Sequence, residues 1–371
     1  MAMRITRAPM NPLITPAQVS PSSPDLRVVS VFNAAALLWG EETLLLLRVA
    51  EAPAHVAEDE VAVPIVTSGP DDCPNISILH FHKNIPGLDL RDPRGILFQG
   101  DQYLTTISHL RLARSRDGMH FTVDAAPALF PNKSYEEYGI EDPRMTLLDG
   151  RVYITYTAVS RSGICVALAS TTDFLDYTRH GLILPPENKN VVLFPERIQG
   201  QYMMIHRPTG GSLGGLQMWL ASSPDLLHWG AYRPLMAKRP ALWDSMRIGA
   251  GAVPIKTAAG WLEIYHGVST ELGYCLGAVL LDLADPSRVL ARSPLPLLSP
   301  ESDYERSGFY SNVVFTCGAT VTHTPSEGEV VHIYYGAVDE TTCCVDIPLV
   351  DILDHLLTPA TAPLTPELVL A

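Results

Sequence analysis

The feature that most constrains the fold is a phrase of the type Ala-x-(Ser/Thr)-x-Asp, which recurs three times and ends each time in an aromatic residue. The three copies are Ala113–Phe121, Ala169–Tyr177 and Ala221–Trp229, and their alanines lie 56 and 52 residues apart. The recurring aspartates favour turns, because their side chains hydrogen-bond to the backbone amides that follow. A period of about 40–50 residues or slightly more, built of short strands, is typical of a β-propeller blade.

Short β-rich runs separated by Gly, Pro, Asn and Asp fill the chain from residue 27 onward. A second recurrent strand follows a glycine or acidic turn, and its five instances begin at Gly100, Gly150, Gly200, Gly260 and Glu329. A strand with a polar phrase precedes each instance, namely Asp92–Arg94, Glu141–Arg144, Phe194–Arg197, Arg247–Ala252 and Asn312–Phe315. Five such units predict an all-β fold, a five-bladed β-propeller.

The unit pattern also predicts the domain organisation. Residues 1–26 are expected to form an N-terminal extension and residues 27–371 the propeller, which is the catalytic domain. The run Val28–Val49 is expected to help close the ring. Val350–Leu357 has the pattern of a short amphipathic helix, and the tail after it is expected to be peripheral.

The acidic balance of the chain limits its partners. The formal net charge is −14, which argues against binding to nucleic acid or to an anionic membrane surface. A small anionic substrate remains compatible, because local cations build its pocket. The prolines before residue 26 interrupt any signal-peptide run, and Ala34–Trp39 and Leu44–Leu47 are too short to span a bilayer. We expect a cytoplasmic protein, and a homo-oligomer is compatible with the sequence.

The cysteines give no sign of a metal site. The chain has six: Cys73, Cys165, Cys275, Cys317, Cys343 and Cys344. None belongs to a Cys-x-x-Cys pair, and no Cys/His cluster has zinc-ligand spacing. Most lie in apolar strand-like contexts, where a free cysteine is a small buried hydrophobe. We therefore expect a reducing compartment, no metal and no cofactor.

Polar residues that recur at one strand position should meet on one side of the repeat, because alternate side chains of a strand point to the same face. The residues brought together by this argument are Asp142, Arg144, Lys189, Arg207, Arg247 and His266. Asp142 precedes a proline, so its backbone is expected to be extended and its carboxylate rigidly presented. A structural turn with a local ion pair explains the same phrase equally well.

The other candidates also have structural explanations. Lys189 is compatible with a solvated surface lysine. Tyr265, His266 and Tyr335 lie at the ends of equivalent strands, where they would either stack against a sugar or pack between blades. Asp339 follows the last of these strands, and its carboxylate is suited to hydrogen-bond sugar hydroxyls.

Taken together, these phrases resemble glycoside hydrolase family 130 over nearly the whole chain, from about Val31 to Leu357. The matching phrases in the first half are Phe32-Asn33, Leu47–Val49, Gly139–Arg144, Asn188-Lys189, Leu193–Glu196 and His206–Pro208. Those in the second half are Ser223–Leu226, His228–Gly230, Ile248–Gly251, Gly260-Trp261, Tyr265–Gly267, Tyr304-Glu305, Asn312–Phe315 and Tyr334–Gly336 with Asp339. Ser108–Arg111 with Glu136 and Tyr138–Ile140 is most similar to the branch acting on β-1,2-mannobiose or β-1,2-oligomannans.

The resemblance implies a five-bladed propeller that cleaves terminal β-mannosides reversibly and with inversion, using inorganic phosphate as nucleophile and releasing α-mannose 1-phosphate. Asp142 would be the general acid, acting through a sugar hydroxyl. The phosphate would be held by Lys189, Arg207 and His266, with Arg144 and Arg247 as further cations. The mannose side would be formed by Asn33, Arg48, Glu141, Tyr265, Tyr335 and Asp339.

Two alternatives stay open. An inverting β-mannosidase needs a second carboxylate to activate water, and Glu196 or Glu263 would supply it. Relatives that hydrolyse replace the basic set by glutamates, whereas this chain keeps the basic set. A catalytically silent, carbohydrate-binding propeller is the other alternative.

The chain also departs from the family pattern at two places. Ala34-Ala35 stands where Pro-Gly is usual, and Asn190 stands where the usual aspartate would be a partner for Lys189.

Overall fold

A computed structural model of the protein describes residues 3–68, 74–210, 214–326 and 328–357. The expected peripheral tail after Leu357 and the cysteine at position 73 lie outside these ranges. Within them the chain is all-β with a few short helical turns, which confirms the all-β part of the predicted fold.

The strands of the first half are β1 Thr6–Arg7, β2 Leu26–Trp39, β3 Glu42–Pro53, β4 Glu60–Ser68, β5 Pro74–His82, β6 Leu88–Asp89, β7 Gly95–Phe98, β8 Asp101–Leu104, β9 Ile107–Ser115, β10 Thr122–Val123, β11 Gly139–Leu148, β12 Arg151–Ser160 and β13 Gly163–Thr171. Those of the second half are β14 Thr178–Leu184, β15 Asn188–Leu193, β16 Tyr202–Pro208, β17 Met218–Ser223, β18 Gly230–Met236, β19 Arg247–Ala250, β20 Ile255–Thr257, β21 Gly260–Ser269, β22 Gly273–Leu281, β23 Val289–Arg292, β24 Val314–Thr324, β25 Gly328–Ala337 and β26 Thr341–Pro348.

Helices are short in the part of the chain that the structure describes. α1 covers Asp303–Arg306 and α2 covers Leu349–Leu357, with 3-10 turns at Pro16–Gln18 and Ser134–Glu136. The C-terminal helix predicted from the sequence is confirmed by α2, whose apolar face is buried against the core. No helix in the described residues is long and apolar enough to cross a membrane.

Antiparallel groups of four strands recur along the described chain. They have the orders β15-β16-β17-β18, β19-β21-β22-β23 and β1-β26-β25-β24. A larger sheet has the order β14-β13-β12-β11-β9-β3-β2, with β10 on β9, and its two halves are joined by the parallel pair Gly139–Ser108. This sheet therefore contains two further groups, β2-β3-β9-β10 and β11 to β14.

The core is built from apolar side chains of these groups. Leu44 to Leu47 on β3 are fully buried, as their continuous apolar run requires. Elements of different sheets also contact each other, since the rings of Phe194 and Trp261 meet edge to face at 5.4 Å between centroids.

The recurrent aspartates form the predicted turns. Asp117 Oδ1 accepts the backbone N–H groups of Met119 and His120 at 2.9 and 2.8 Å. Asp173 and Asp225 accept the amides two and three residues further on in the same manner. These three carboxylates are thus engaged in local structure, as the repeat indicated.

The start of the first unit was predicted wrongly. The sequence placed Asp92–Arg94 and the run from Gly100 in the first four-stranded unit, but β2 and β3 occupy that position and pair with β9 from Ile107 onward. The physical reason is burial, because β2 and β3 carry continuous buried apolar runs whereas much of residues 88–104 is exposed. Residues 88–104 instead form the small sheet β6-β7-β8, next to the hairpin β4-β5.

The N-terminal residues pack against both ends of the chain. β1 pairs with β26, so that Thr6 lies opposite Asp346. Further on, the Ser22 amide and hydroxyl both donate to the buried carboxylate of Glu51 on β3. The segment therefore connects the last antiparallel group to the first.

Candidate active site

A cavity of about 1270 Å³ opens beside β2, β3, β11, β15, β19 and β21. Nine of the predicted site residues line it: Asn33, Arg48, Glu141, Asp142, Lys189, Arg207, Arg247, His266 and Asp339. They come from several sheets, so the fold gathers side chains that are up to about 300 residues apart in sequence. The cavity is therefore the candidate active site.

Asp142 lies on a β-bulge. The pairing of β11 with β12 shifts register between Glu141 and Arg144, and the φ angle of Asp142 is 48°. The expectation of an extended backbone before Pro143 was therefore wrong. A bulge inserts an unpaired residue and re-aims its side chain, and aspartate and asparagine are among the residues that adopt the left-handed region most readily.

The same irregularity recurs on two other strands that line the cavity. The register of β2 shifts between Phe32 and Ala35, around Asn33 with a φ of 49°, and that of β15 shifts around Asn190 with a φ of 55°. Three units of the fold thus present an Asn or Asp from a left-handed bulge. The short amide or carboxylate side chain at each bulge lines the cavity.

The Asp142 carboxylate is buried among cations and donors. Its Oδ1 accepts Asn33 Nδ2 at 3.0 Å and Arg48 Nη1 at 3.1 Å. Burial acts to raise the pKa of Asp142, but the charges of Arg48, Lys189 and Arg144 outweigh it and hold the pKa below its ordinary value. In this state the carboxylate is ionised at neutral pH.

Arg48 lies on the acidic side of the cavity, which is formed by Glu141, Asp142 and Asp339. Its Nη2 donates to Glu141 Oε1 at 2.8 Å and its Nε to Ser108 Oγ at 3.1 Å, and its guanidinium lies 4.6 Å from the centroid of the Phe32 ring. Burial raises the pKa of Asp339 to about 6, while the charge of Arg48 opposes this shift. Three carboxylates therefore interact with one arginine. Arg48 hydrogen-bonds to Glu141 and Asp142 but acts on Asp339 only through its charge.

The basic side of the cavity is formed by four side chains. Lys189 and Arg207 are directly opposite each other on β15 and β16, and Arg247 Nη1 donates to the Tyr274 hydroxyl at 2.9 Å. The Nε of Arg207, the Nε of Arg247 and the Nδ1 of His266 are buried without a hydrogen-bond partner. Buried donors of this kind are costly unless a ligand satisfies them.

Burial and mutual repulsion weaken these cations. Burial lowers the pKa of Lys189 below its ordinary value, although Glu141 and Asp142 oppose the shift. Burial lowers the pKa of Arg207 to about 10, and the charge of Arg247 adds to the effect. The pKa of His266 is well below its ordinary value, because of burial and then Arg207. An anion placed among these groups would relieve the repulsion.

Asn190, which stands where the usual aspartate would be a partner for Lys189, lies against His266. Its Nδ2 is 3.5 Å from His266 Nε2. The approach is possible because Gly249 lies beside both side chains. A Cβ at Gly249 would lie 2.6 Å from Asn190 Nδ2 and from His266 Cε1.

The structure does not place three predicted residues in the cavity lining. Arg144 donates to the carbonyls of Asp142, Ala250 and Gly251 at 2.9–3.1 Å, so it holds the backbone of the bulge. Its guanidinium therefore holds the backbone of Asp142 in position and does not face the cavity.

Tyr265 and Tyr335 are buried in the core. The Tyr265 hydroxyl donates to Asp244 Oδ2 at 2.8 Å, and that of Tyr335 to Glu305 Oε1 at 2.6 Å. The reason for Tyr265 is strand alternation, because its neighbour His266 faces the cavity and adjacent side chains point to opposite faces. Neither tyrosine is positioned to contact a sugar in the cavity.

Tyr274 is a cavity residue that the sequence analysis missed. Arg247, Val268 and Tyr274 form one row across β19, β21 and β22, which places the phenol beside the guanidinium. Alignment of the three strands in their pairing register would have predicted that Tyr274 lies beside Arg247. Arg94, Phe309 and Tyr310 also line the cavity at its mouth and were not proposed from the sequence as site residues.

Comparison with known proteins gives the family. The sequence model of glycoside hydrolase family 130, described as β-1,4-mannooligosaccharide phosphorylase, matches residues 95–357. A β-1,2-mannobiose phosphorylase of Listeria innocua is 42% identical over 95% of this chain and 99% of its own length. A 1,2-β-oligomannan phosphorylase of a Thermoanaerobacter species is 39% identical over 64% of this chain and 78% of its own. The chain belongs to glycoside hydrolase family 130.

The structural comparison agrees. The Listeria innocua β-1,2-mannobiose phosphorylase, solved in complex with β-1,2-mannobiose, superimposes with a TM-score of 0.89 over 95% of this chain and 99% of that chain. The similarity therefore extends over nearly all of both molecules.

Proposed function

We propose that this protein is an inverting phosphorylase. It would transfer the terminal mannosyl group of a β-1,2-linked manno-oligosaccharide to inorganic phosphate, giving α-mannose 1-phosphate and a shortened acceptor. The observation that carries the proposal is the set of four basic side chains beside an ionised Asp142, three of which have buried donors without a partner. The named activities of the relatives support it.

The roles of the residues follow from their positions. Arg207, Arg247 and His266 would bind phosphate through their unpaired donors, and Lys189, which lies directly opposite Arg207, would add its ammonium group. Asn33, Arg48, Glu141 and Asp339 would hydrogen-bond the mannosyl hydroxyls on the acidic side. Arg144 would position Asp142 by holding its backbone.

The chemistry balances with a single carboxylic acid. A phosphate oxygen forms a bond to the anomeric carbon while the bond from that carbon to the glycosidic oxygen breaks. Asp142 is ionised before phosphate binds and takes up the proton of hydrogen phosphate, whose negative charge raises the pKa of the carboxylate. It then passes this proton to the glycosidic oxygen, directly or through a sugar hydroxyl, and is ionised again. The site is thus ready for another cycle and the reaction is reversible.

A hydrolase would need a second carboxylate that activates water. Neither of the two glutamates predicted for this role lines the cavity. Glu196 binds Lys256 at 2.7 Å on the surface. Glu263 is fully buried, accepts the Gly251 amide at 3.0 Å, and has a pKa well above its ordinary value because of burial. These positions favour phosphorolysis over hydrolysis.

The five-bladed architecture is also part of the proposal. We take the five four-stranded groups to be the blades of a five-bladed propeller, with the pairing of β1 and β26 joining the two ends of the chain. The division into an extension, residues 1–26, and a catalytic domain, residues 27–371, stays a prediction.

The reverse reaction tests the proposed function. Incubation with α-mannose 1-phosphate and mannose should release inorganic phosphate and form a β-1,2-linked disaccharide, as measured by phosphate release and by NMR of the product. Phosphate release without a glycoside product, or no reaction, would contradict the proposal. A silent carbohydrate-binding protein would bind the disaccharide without turnover.

A further inference from the structure

One wall of the cavity is built from residues 54–68 and 74–106. The hairpin β4-β5 contributes Glu60, Val61 and Ala62, and the sheet β6-β7-β8 contributes Asp101 and Gln102. The two small sheets pack on each other and on the main body through one apolar cluster around Val63 and Tyr138. The family match begins at residue 95, so β4, β5 and β6 lie outside it.

Arg94 projects from this wall and belongs to the phrase Asp92-Pro93-Arg94, which the proposed mechanism does not use. Asp92 holds its guanidinium with bonds from Nε at 3.2 Å and Nη2 at 3.0 Å. The Arg94 carbonyl accepts the Thr105 amide at 2.9 Å. At Gly95, a Cβ would lie 2.2 Å from the Tyr103 carbonyl oxygen, so the backbone here is closely packed. The cation is therefore held in one orientation at the cavity mouth.

An exposed aromatic residue also lines the cavity. Phe309 is 46% exposed, and its ring meets that of Tyr310 edge to face at 5.1 Å. Its amide donates to Glu340 Oε1 at 2.6 Å, and the Tyr310 amide donates to the Val338 carbonyl at 3.0 Å. The loop is thus anchored next to Asp339. An exposed ring fixed in this way offers an apolar face on which a sugar ring can pack.

Arg94 and this aromatic pair are close enough to influence each other. Burial raises the pKa of Tyr310, and the charge of Arg94 opposes the shift. The same charge acts to lower the pKa of Asp339. The guanidinium and the aromatic loop therefore line the same cavity, together with Asp339.

We propose that Arg94 and Phe309 form a distal acceptor subsite, which binds the second sugar of the acceptor and makes β-1,2-linked trisaccharides and longer chains better substrates than the disaccharide. This inference rests on the proposed function. Phe309 would pack on the sugar ring, and Arg94 would donate to its hydroxyls. The cavity volume of about 1270 Å³ also exceeds the range of roughly 300–1,000 Å³ of ordinary small-molecule pockets.

The test compares phosphorolysis of the β-1,2-linked di- and trisaccharide in the wild type and in Arg94→Ala and Phe309→Ala. The wild type should show a larger kcat/KM for the trisaccharide, and each variant should lower the ratio of the two values about tenfold, which is about 1.4 kcal/mol. Arg91→Ala is a matched control, because Asp89 holds Arg91 similarly but Arg91 faces a separate depression. Tyr232→Ala removes an aromatic residue of similar exposure, 47%, on β18. Neither control should change the ratio.

A wild type without trisaccharide preference, or variants that keep the ratio, would overturn the subsite. Calorimetry in the Asp142→Asn background separates the two proposals. Tighter binding of the trisaccharide than of the disaccharide, lost in Arg94→Ala, supports the subsite even if the wild type performs no phosphorolysis. Equal binding of the two sugars overturns it.

Discussion

At the scale of single residues, Asp142 combines an unusual backbone with an unusual charge environment. Its left-handed φ of 48° is tolerated because it lies in a bulge that Arg144 braces from behind. Arg48 and Asn33 fix the carboxylate in the cavity. Few residue types fit both requirements, and asparagine fits only the conformational one.

We therefore expect Asp142→Asn to fold but to lose catalysis. The kcat should fall about 100- to 10,000-fold, the usual contribution of a general acid, while thermal unfolding remains cooperative. Asp149→Asn is the matched control, because Asp149 also has a left-handed φ, 51°, but is exposed at a turn. Activity of the Asp142 variant close to that of the control would remove Asp142 from the mechanism.

The pH dependence of the reaction should respond to phosphate. Arg48, Lys189 and Arg144 hold the pKa of Asp142 below its ordinary value. A phosphate anion next to Lys189 adds negative charge, which favours the protonated acid and raises the pKa of Asp142. The alkaline limb of kcat/KM for the disaccharide should therefore move to higher pH as phosphate is raised from limiting to saturating. A limb that stays at the same pH would show that the two sites are not coupled.

At the scale of strands, the sequence predicted the turns and the polar set but not the bulges. The recurrent aspartates and the basic residues of β15, β16, β19 and β21 could be read from the repeat, because each lies at a fixed place in its unit. A bulge depends on how two strands pair, and the phrase Asp142-Pro143 indicated an extended backbone instead. Tyr265 was predicted on the wrong face of its strand. Adjacent side chains of a strand point to opposite faces, and its neighbour His266 is the one that faces the cavity.

Strand packing also explains a glycine on β19. Gly249 leaves room for Asn190 and His266, which approach within 2.6 Å of where its Cβ would lie. Gly249→Ala should displace the imidazole and raise the KM for phosphate about tenfold, a cost of about 1.4 kcal/mol. Gly230→Ala is the control, because no atom lies within 4 Å of the added Cβ. An unchanged phosphate KM in Gly249→Ala would exclude His266 from the phosphate site.

At the scale of the whole molecule, the N-terminal segment ties the ends of the chain together. Arg7 on β1 binds the buried Glu305 at 2.8 Å, and Glu305 also accepts the Tyr335 hydroxyl. The sequence predicted an extension here but not this ion pair, since residues 7 and 305 meet only when the last strands are in place. The hairpin β4-β5 and the small sheet β6-β7-β8 were not predicted, because they interrupt the repeat.

Removal of Arg7 should destabilise the fold. Arg7→Ala leaves Glu305 buried without its cation, which typically costs about 3–5 kcal/mol, whereas Arg4→Ala removes an exposed pair with Asp351 worth about 0–1 kcal/mol. Although burial opposes the shift, hydrogen bonds from Arg7 and Tyr335 hold the pKa of Glu305 below its ordinary value. The stability from this pair is therefore present at neutral pH and is lost as the pH falls through the folded pKa. Urea unfolding at neutral pH checks this, and equal losses in the two variants would contradict it.

The central claim is that the buried cations make phosphate, and not water, the acceptor of the mannosyl group. The most direct measurement is the amount of mannose formed per β-1,2-mannobiose consumed, with and without inorganic phosphate. We predict one mannose and one α-mannose 1-phosphate per disaccharide when phosphate is present, and no consumption when it is absent. Two mannose molecules per disaccharide, formed at the same rate in both conditions, would contradict the account and identify a hydrolase.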